Sequence, residues 1–472
     1  MKSDDEYFKD EEFIELLNQY EQSVSSGQPV FIDADDLADI ADYYNQNDRY
    51  DDAQQAMELV LELQPDSIVA LNYQIHNSIL SEDFKAAEDF LSQMVDQDSP
   101  EYIYCRAEIW IAQGLIKQAD NYLRECFRDI PIEEYQDFVL DVANLYTDYN
   151  YHEKAMEWMM RAKHENTEDF KELMARTLFG LGKYDDSERI YNELIDDNPF
   201  QKRYWNALSN TQFMKEDYGA SVTSSEYAIA IDPDDPESLL SKANGLFRLE
   251  NYEEALVFFK RYAEHEPDDE FGLLHQGSCL LNMGNYAEAT EMLKRAKEAA
   301  PEDSPYLVDI YEELAFAYSE MKMLDTALFY IGQTDTLDCN HSDINVIKGH
   351  ILLANGCPSE AEQVFRQALE QSDDSMTTLL RIIVSLFDNQ YNEAAYNMFH
   401  KLFAICPNDW KDGYAYMALC CYNLKRYDEF LTYLKKACEI NPHETSTVIS
   451  HLFPEGMKPQ DYYQYIKDKM KL

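Results

Sequence analysis

Residues 252–267 read YEEALVFFKRYAEHEP, and 34 positions later residues 286–301 read YAEATEMLKRAKEAAP. Both segments begin with tyrosine, carry alanine at the fourth position (Ala255 and Ala289) and end in proline. The same frame recurs elsewhere, as in Tyr50–Pro65 and Tyr391–Pro407. A period of about 34 residues is typical of a two-helix repeat that stacks into a solenoid. The sequence therefore predicts an all-α chain built from such repeats.

The apolar residues of a single repeat fall on one face of each predicted helix. In the first full unit, from Ala34 to Ser67, the helical spacing places on these faces Leu37, Ile40, Ala41 and Tyr44, then Tyr50, Ala53, Met57 and Val60, with Pro65 closing the second helix. Two antiparallel helices approach closely only where side chains are small, which is the role expected of Ala41 and Ala53. The unit is predicted to be an amphipathic helix pair.

This frame resembles the tetratricopeptide repeat family over nearly the entire chain. The residues that match the family's frame in the seventh and eighth units are Leu239, Ala243, Leu246, Tyr252, Ala255, Phe259 and Pro267, then Leu273, Gly277, Leu280, Tyr286, Ala289, Leu293, Ala296 and Pro301. About twelve units fit between residues 34 and 444. The resemblance implies a right-handed superhelical solenoid of antiparallel helix pairs, closed by capping helices.

The predicted organisation has four parts. Residues 1–33 form an N-terminal capping helix (residues 5–24) and linker, residues 34–303 hold units one to eight, residues 304–444 hold units nine to twelve, and residues 445–472 form capping helices. A longer turn between Pro301 and Pro305 marks the internal boundary. The final helix is expected to begin at Pro459, and terminal caps differ from the repeats because their outer face meets solvent.

The chain is strongly acidic, with 91 acidic and 39 basic residues and a formal charge of −52. Such a surface repels nucleic-acid phosphates and anionic lipid headgroups, so neither a nucleic acid nor a membrane is an expected partner. Basic segments of a partner protein fit better, although solubility alone is an alternative explanation. The start of the sequence lacks a secretory signal, and nine unpaired-looking cysteines indicate reduced thiols. A cytoplasmic location is expected.

No motif of catalytic chemistry is present in the sequence. It contains no glycine-rich phosphate loop, no His-Glu-x-x-His pair and no Gly-x-Ser-x-Gly elbow. The ten histidines are scattered, without the spacing of metal ligands. We therefore expect a protein that is not an enzyme and that needs no cofactor or metal.

The resemblance places the first helix of each unit on an inner, concave wall that commonly holds extended peptides. Inward positions of the repeat carry polar residues that are candidates for partner binding: Asn144, Arg176, Arg203, Asn206, Asn210, Asn244 and Arg248. Of these, Asn144, Arg176, Asn210 and Asn244 share the ninth position of successive units. An amide both donates and accepts, so asparagine can pair with the main chain of a peptide, while Arg203 and Arg248 suit acidic groups. Solvated wall residues without a ligand are the alternative.

From the ninth unit onward the inward positions turn apolar. These residues form a candidate apolar interface: Phe316, Met376, Leu379, Ile383, Leu386, Phe387 and Leu419. Exposed apolar patches usually mark interfaces, so a partner helix or a second copy of the chain would cover them. Tighter local packing is the third alternative. The preferred function is a protein-interaction scaffold that binds a peptide or protein partner; a self-assembling homo-oligomer and a regulatory subunit of an enzyme on another chain remain open.

Overall fold

The computed structural model describes residues 7–8, 10–27, 31–47, 49–162, 167–454 and 456–470. These residues form α-helices, short 3-10 turns and connecting loops, and none of them lies in a strand. The chain divides into two compact units, Met1–Lys215 and Glu216–Leu472. The all-α expectation is confirmed for the described residues.

The first unit contains twelve described α-helices. A single helix comes first, and the helices after it are arranged in pairs along the chain. They are α1 (Glu11–Ser26), α2 (Ala34–Gln46), α3 (Tyr50–Leu63), α4 (Ile68–Leu80), α5 (Phe84–Leu91), α6 (Pro100–Ala112), α7 (Ile116–Cys126), α8 (Tyr135–Asp148), α9 (His152–Met159), α10 (Glu168–Gly180), α11 (Tyr184–Asp197) and α12 (Lys202–Met214). A 3-10 turn at Ile132–Glu134 precedes α8. Helix α1 overlaps the predicted capping helix (residues 5–24) from Glu11 and ends two residues later, whereas residues 5, 6 and 9 are outside the described part of the chain.

The second unit continues the alternation and ends in two short helices. Its described helices are α13 (Tyr218–Ile231), α14 (Pro236–Arg248), α15 (Tyr252–His265), α16 (Glu270–Asn282), α17 (Tyr286–Ala299), α18 (Leu307–Glu320), α19 (Leu324–Gly332), α20 (His341–Ala354), α21 (Pro358–Gln371), α22 (Ser375–Asp388), α23 (Asn392–Ile405), α24 (Tyr414–Asn423), α25 (Tyr427–Ile440), α26 (Pro442–Ile449) and α27 (Pro459–Met470). The 3-10 turns are Gln333–Thr336 and Ser450–Leu452. Helix α27 begins at Pro459, as predicted.

Local sequence fixes where the helices begin. The Asp33 carboxylate accepts a hydrogen bond from the Asp36 amide at 2.9 Å and caps α2. Asp235 caps α14 in the same way, with Pro236 at the first helical position. These side chains satisfy amides that have no partner within the helix, which typically stabilises a helix by about 1 kcal/mol.

The turn inside a helix pair carries a residue in the left-handed region. Gly284 has a φ of +76°, and its amide donates to the Leu281 carbonyl at 2.9 Å. The next amide, of Asn285, donates to the Leu280 carbonyl at 2.8 Å. This arrangement ends α16 and reverses the chain into α17, because glycine adopts positive φ without a steric cost.

The core of each unit runs along the helix pairs and follows the predicted frame. Leu37, Ile40 and Ala41 of α2 are fully buried, as is Ala53 of α3. Burying a leucine or isoleucine side chain contributes about 1.5–3 kcal/mol, so the repeated frame supplies most of the stability of a pair. In α20, Gly349 lies so close to Phe365 of α21 that a Cβ on the glycine would be 2.2 Å from the ring. Small residues therefore stand where the two helices of a pair meet.

The last helices of the chain cover the apolar end of the final pair. Ile449 of α26 is fully buried, and Tyr462 and Ile466 of α27 belong to the same core cluster. The rings of Phe453 and Tyr462 stack with centroids 3.8 Å apart. These contacts extend the core of the final helix pair into α26 and α27.

Candidate partner-binding surfaces

The ninth-position residues of the first unit contact each other across neighbouring helix pairs. Arg176 of α10 donates through Nη1 to Asn144 Oδ1 at 3.0 Å and through Nη2 to Asp148 Oδ1 at 2.7 Å. Asn144 in turn donates through Nδ2 to Asp148 Oδ2 at 2.9 Å. Arg176 and Asp148 are each more than two-fifths exposed, so the cluster is accessible from solvent. Two of the candidate residues are thus brought together and hold one carboxylate.

Arg203 is also engaged by the chain itself. Its Nη2 lies 2.9 Å from Glu172 Oε2 and donates to the Tyr204 hydroxyl at 3.0 Å. The Tyr204 hydroxyl donates to Glu168 Oε1 at 2.5 Å. The positive charge of Arg203 therefore faces two glutamates, and this side chain is not free to bind an acidic group without breaking an ion pair.

Asn206 and Asn210 of α12 differ in exposure. Asn210 is exposed, whereas Asn206 is 2% exposed. The sequence analysis expects Asn206 on an accessible wall, but the structure buries it. Asn206, Ser209 and Gln212 form a polar row along α12, and all three are buried. Both asparagines have polar contacts. Only Asn210 of this pair is positioned to meet a partner.

In the second unit, Asn244 and Arg248 lie on α14 one turn apart. Arg248 donates to the Tyr218 hydroxyl at 2.9 Å, and its guanidinium lies 5.1 Å from the centre of the Tyr218 ring. Asn244 is half-buried, and no hydrogen-bond partner for its amide occurs among the described residues. Its donor and acceptor are therefore available to another molecule.

A cavity of about 840 Å³ lies in the first unit at the C-terminal ends of α4, α6 and α8. Its wall includes Asn144 and Asp148, together with residues that the sequence analysis missed, namely His76, Glu108, Asp141, Tyr104 and Tyr149. His76 and Glu108 occupy the ninth position of the second and third units, so the repeat numbering that selected Asn144 contains the signal that finds them. His76 Nδ1 and Glu108 Oε1 are 3.1 Å apart.

The cavity is acidic and partly desolvated. The Tyr149 hydroxyl donates to Glu108 Oε1 at 2.9 Å, and the Glu108 side chain is only 17% exposed. The hydrogen bond with Glu108 raises the pKa of His76 above its ordinary value. Desolvation raises the pKa of the Asp141 carboxyl, a hydrogen bond from the Tyr104 hydroxyl opposes this shift, and repulsion from Asp137 adds to it.

The candidate apolar residues of the later repeats are mostly covered by the chain itself. Ile383 is fully buried and Leu419 is 8% exposed. The four others of α22, namely Met376, Leu379, Leu386 and Phe387, are half-buried and pack against the same core cluster. Phe316 of α18 remains 41% exposed. Local packing thus accounts for the burial of Ile383 and Leu419, whereas Phe316 and the four half-buried residues keep part of their surface accessible.

Two further features bear on the expected chemistry. Within the described ranges, no group of three or more His, Cys, Asp or Glu side chains has the geometry to hold a metal ion. Across the same residues, every helix is too short or too polar to cross a bilayer.

The sequence matches two family models, both described as tetratricopeptide repeat. One matches residues 173–236, and the other matches residues 37–67, 272–303 and 413–444. No curated protein matches the sequence.

The chain is similar to solved structures that include the following three. Yeast Tom70 is 16% identical, with 93% of this chain and 96% of that chain covered and a TM-score of 0.44. A tetratricopeptide repeat protein from Parabacteroides merdae is 14% identical over 52% of this chain and 96% of that chain, with a TM-score of 0.41. PilW, a type IV pilus biogenesis factor, is 19% identical over 46% of this chain and all of that chain, with a TM-score of 0.40.

The matched ranges coincide with helix pairs in both units, and the same pairing continues through most of the described chain. Each unit therefore belongs to the class of helical repeat arrays. The segments that the two models match are tetratricopeptide repeats. Proteins built from this repeat are generally scaffolds for protein interactions.

Proposed function

We propose that this chain is a non-catalytic scaffold that binds a peptide or protein segment along the first helices of its repeats. One observation carries the proposal: the ninth position of successive repeats holds polar side chains that remain at least partly exposed, while the apolar frame around them is buried. Asn144, Arg176, Asn210 and Asn244 all follow this pattern. Accessible polar groups that recur at one repeat position in each unit offer donors and acceptors to the main chain of a peptide.

Asparagine amides provide contacts to the main chain of the bound segment. Asn244 is the best candidate, because its amide has no hydrogen-bond partner within the described residues. Arg203 and Arg248 contribute less to the recognition of acidic groups, since Arg203 is paired with Glu172 and Arg248 lies on Tyr218. The formal charge of −52 favours a partner segment that is neutral or basic.

A cytoplasmic location forms part of the proposal. All nine cysteines are free thiols in the structure, and Cys105, Cys279, Cys420 and Cys421 are buried. Reduced, buried cysteines agree with a reducing compartment.

The proposal is tested with a random dodecapeptide library displayed on phage and selected against the full-length chain. Enriched peptides are synthesised with a fluorescent label, and their affinity is measured by fluorescence polarisation. The double variant Asn210→Ala/Asn244→Ala is expected to bind about tenfold more weakly, which corresponds to about 1.4 kcal/mol. Asn192→Ala/Asn397→Ala removes two exposed asparagines of the second helices α11 and α23 and is the matched control.

Circular dichroism checks that both double variants keep the helical fold. The proposal that a peptide binds along the first helices fails if the two double variants bind the selected peptides equally well. It also fails if selection enriches no peptide at all.

A further inference from the structure

The cavity of the first unit has two chemically different parts. One part is apolar and includes Ile79, Leu80 and Leu145. The other carries four carboxylates, those of Glu82, Glu108, Asp141 and Asp148. Tyr104, Tyr149 and Tyr151 also line the cavity. With a volume of about 840 Å³, the space exceeds that of any single side chain.

The apolar part is accessible. Leu80, the last residue of α4, is 69% exposed, although it borders the cavity. The rings of Tyr104, Tyr149 and Tyr151 are half-buried and also face the space. An exposed leucine beside tyrosine faces suits an alkyl chain, and the electron-rich rings attract a cation at its end.

The carboxylates of the cavity differ in their ion-pair and hydrogen-bond partners. Asp148 is paired with Arg176, and Glu108 contacts Tyr149 and His76. Asp141 is exposed and accepts a hydrogen bond from the Tyr104 hydroxyl, but it has no ion pair with lysine or arginine among the described residues, and partial desolvation raises the pKa of its carboxyl. Among the described residues that line the cavity, the His76 imidazole is the one basic group, and it is largely neutral at pH values well above its pKa. The negative charge of the cavity is thus incompletely balanced by the chain.

We propose that this cavity receives the side chain of a lysine or arginine from the bound segment. The alkyl stem would lie on Leu80 and the tyrosine rings, and the charged end would approach Asp141 and Glu108. A cation beside Asp141 favours the ionised form of its carboxyl and offsets the repulsion from Asp137. The inference rests on the proposed function, because it names the chemistry that the scaffold recognises in its partner.

The same displayed library tests the inference separately from the scaffold proposal. Peptides selected on the wild-type chain are expected to share a lysine or arginine at one fixed position. Replacing that residue by glutamine in the synthetic peptide is expected to weaken binding to the wild-type chain about tenfold or more. On the Asp141→Asn variant, the same replacement should have an effect of threefold or less, because the cavity no longer distinguishes the two side chains.

Asp186→Asn is the matched control, since Asp186 is an exposed carboxylate on α11, outside the cavity, and its loss changes the net charge equally. If Asp186→Asn reduces the preference for the basic residue as much as Asp141→Asn does, general attraction to an acidic surface explains the preference and the inference is overturned. Selected peptides without a shared basic residue overturn it as well, while leaving the scaffold proposal intact. An empty selection overturns both proposals together.

Discussion

Arg176 donates to Asn144 Oδ1 at 3.0 Å although the two residues are 32 positions apart in the chain. The same spacing separates His76 and Glu108, whose side chains are 3.1 Å apart. In both cases the ninth residue of one repeat contacts the ninth residue of the next. This position therefore forms a ladder of polar side chains across the helix pairs of the first unit, and partner binding must compete with contacts within the ladder.

The first prediction follows from the ion pair between Arg176 and Asp148. Arg176→Gln removes the cation that partly neutralises Asp148 at the edge of the cavity. The affinity for a peptide that carries a lysine or arginine is expected to rise about threefold to tenfold. The stability of the chain should change by less than about 1 kcal/mol, because the ion pair is solvent-exposed.

Arg189→Gln is the control for this change in charge. Arg189 pairs with Glu193 on α11, at a distance of 2.7 Å, and lines no part of the cavity. Fluorescence polarisation with the same peptide measures both variants. Equal gains in affinity for the two variants would show that net charge, not the Asp148 edge of the cavity, controls binding.

A second prediction concerns pH. The pKa of His76 is raised above its ordinary value near 6.5 by its hydrogen bond to Glu108, and Asp148 adds to the shift. Protonation on acidification places a positive charge beside Glu108 and in the field of Asp148, whose own partner is Arg176. Binding of a basic peptide is therefore expected to weaken as the pH falls from 8 to 6.

Acidification has the opposite effect on the stability of the chain, which His76 increases as the pH falls. Because the folded chain holds this proton more tightly than the unfolded chain, the contribution to stability is present below about pH 6.5 and is lost as the pH rises through the raised pKa. His76→Gln should remove the pH dependence of peptide binding over this range. A variant that keeps the wild-type pH profile would assign the effect to another group.

The third prediction uses two glycines that differ only in the space around them. Gly349→Ala is expected to destabilise the chain by about 1–3 kcal/mol, because the new Cβ would meet the Phe365 ring within the core. Gly332→Ala places a Cβ in open space at the end of α19 and should be neutral or slightly stabilising. Thermal unfolding followed by circular dichroism compares the two variants. Equal loss of stability would mean that helices α20 and α21 do not approach as closely as described.

The helix pairs could be predicted from the sequence because their apolar frame is periodic and local. The seven-residue frame of the seventh unit, for example, needs only the spacing within α14 and α15. The side-chain contacts of the site could not be predicted in this way. Whether Arg176 reaches Asp148 depends on the offset between two helix pairs and on the length of the arginine side chain, and neither is encoded in the spacing.

Some inward positions are more buried than the repeat frame predicts. Asn206 and Ile383 occupy positions that the family frame assigns to an accessible wall, yet both are buried. A first helix can be packed along more than one row, and the frame describes only the row shared by all repeats. The ladder partners His76 and Glu108, in contrast, were within reach of the sequence, since they share the ninth position with Asn144.

The final prediction concerns Glu313 of α18, whose carboxylate accepts a hydrogen bond from the Ser278 hydroxyl with Oε1 at 2.6 Å. Burial raises the pKa of Glu313 to about 7, and Asp309 and Glu312 add repulsion. The folded chain thus retains a proton that the unfolded chain releases above about pH 4.5, so stability falls as the pH rises from 4.5 to 7. Glu313→Gln removes this penalty and keeps an acceptor for Ser278.

At pH 8 the Glu313→Gln variant is therefore expected to be more stable than the wild-type chain by about 2 kcal/mol, or about 4–8 °C in the unfolding midpoint of the second unit. Near pH 4.5 the two should unfold at similar temperatures, because the carboxyl is neutral in the folded wild type. Glu264→Gln, which removes an exposed charge from α15, controls for the general benefit of lowering the net negative charge. A gain at pH 8 that Glu264→Gln reproduces in full would contradict a specific penalty at Glu313, since only a desolvated carboxylate near Asp309 and Glu312 carries it.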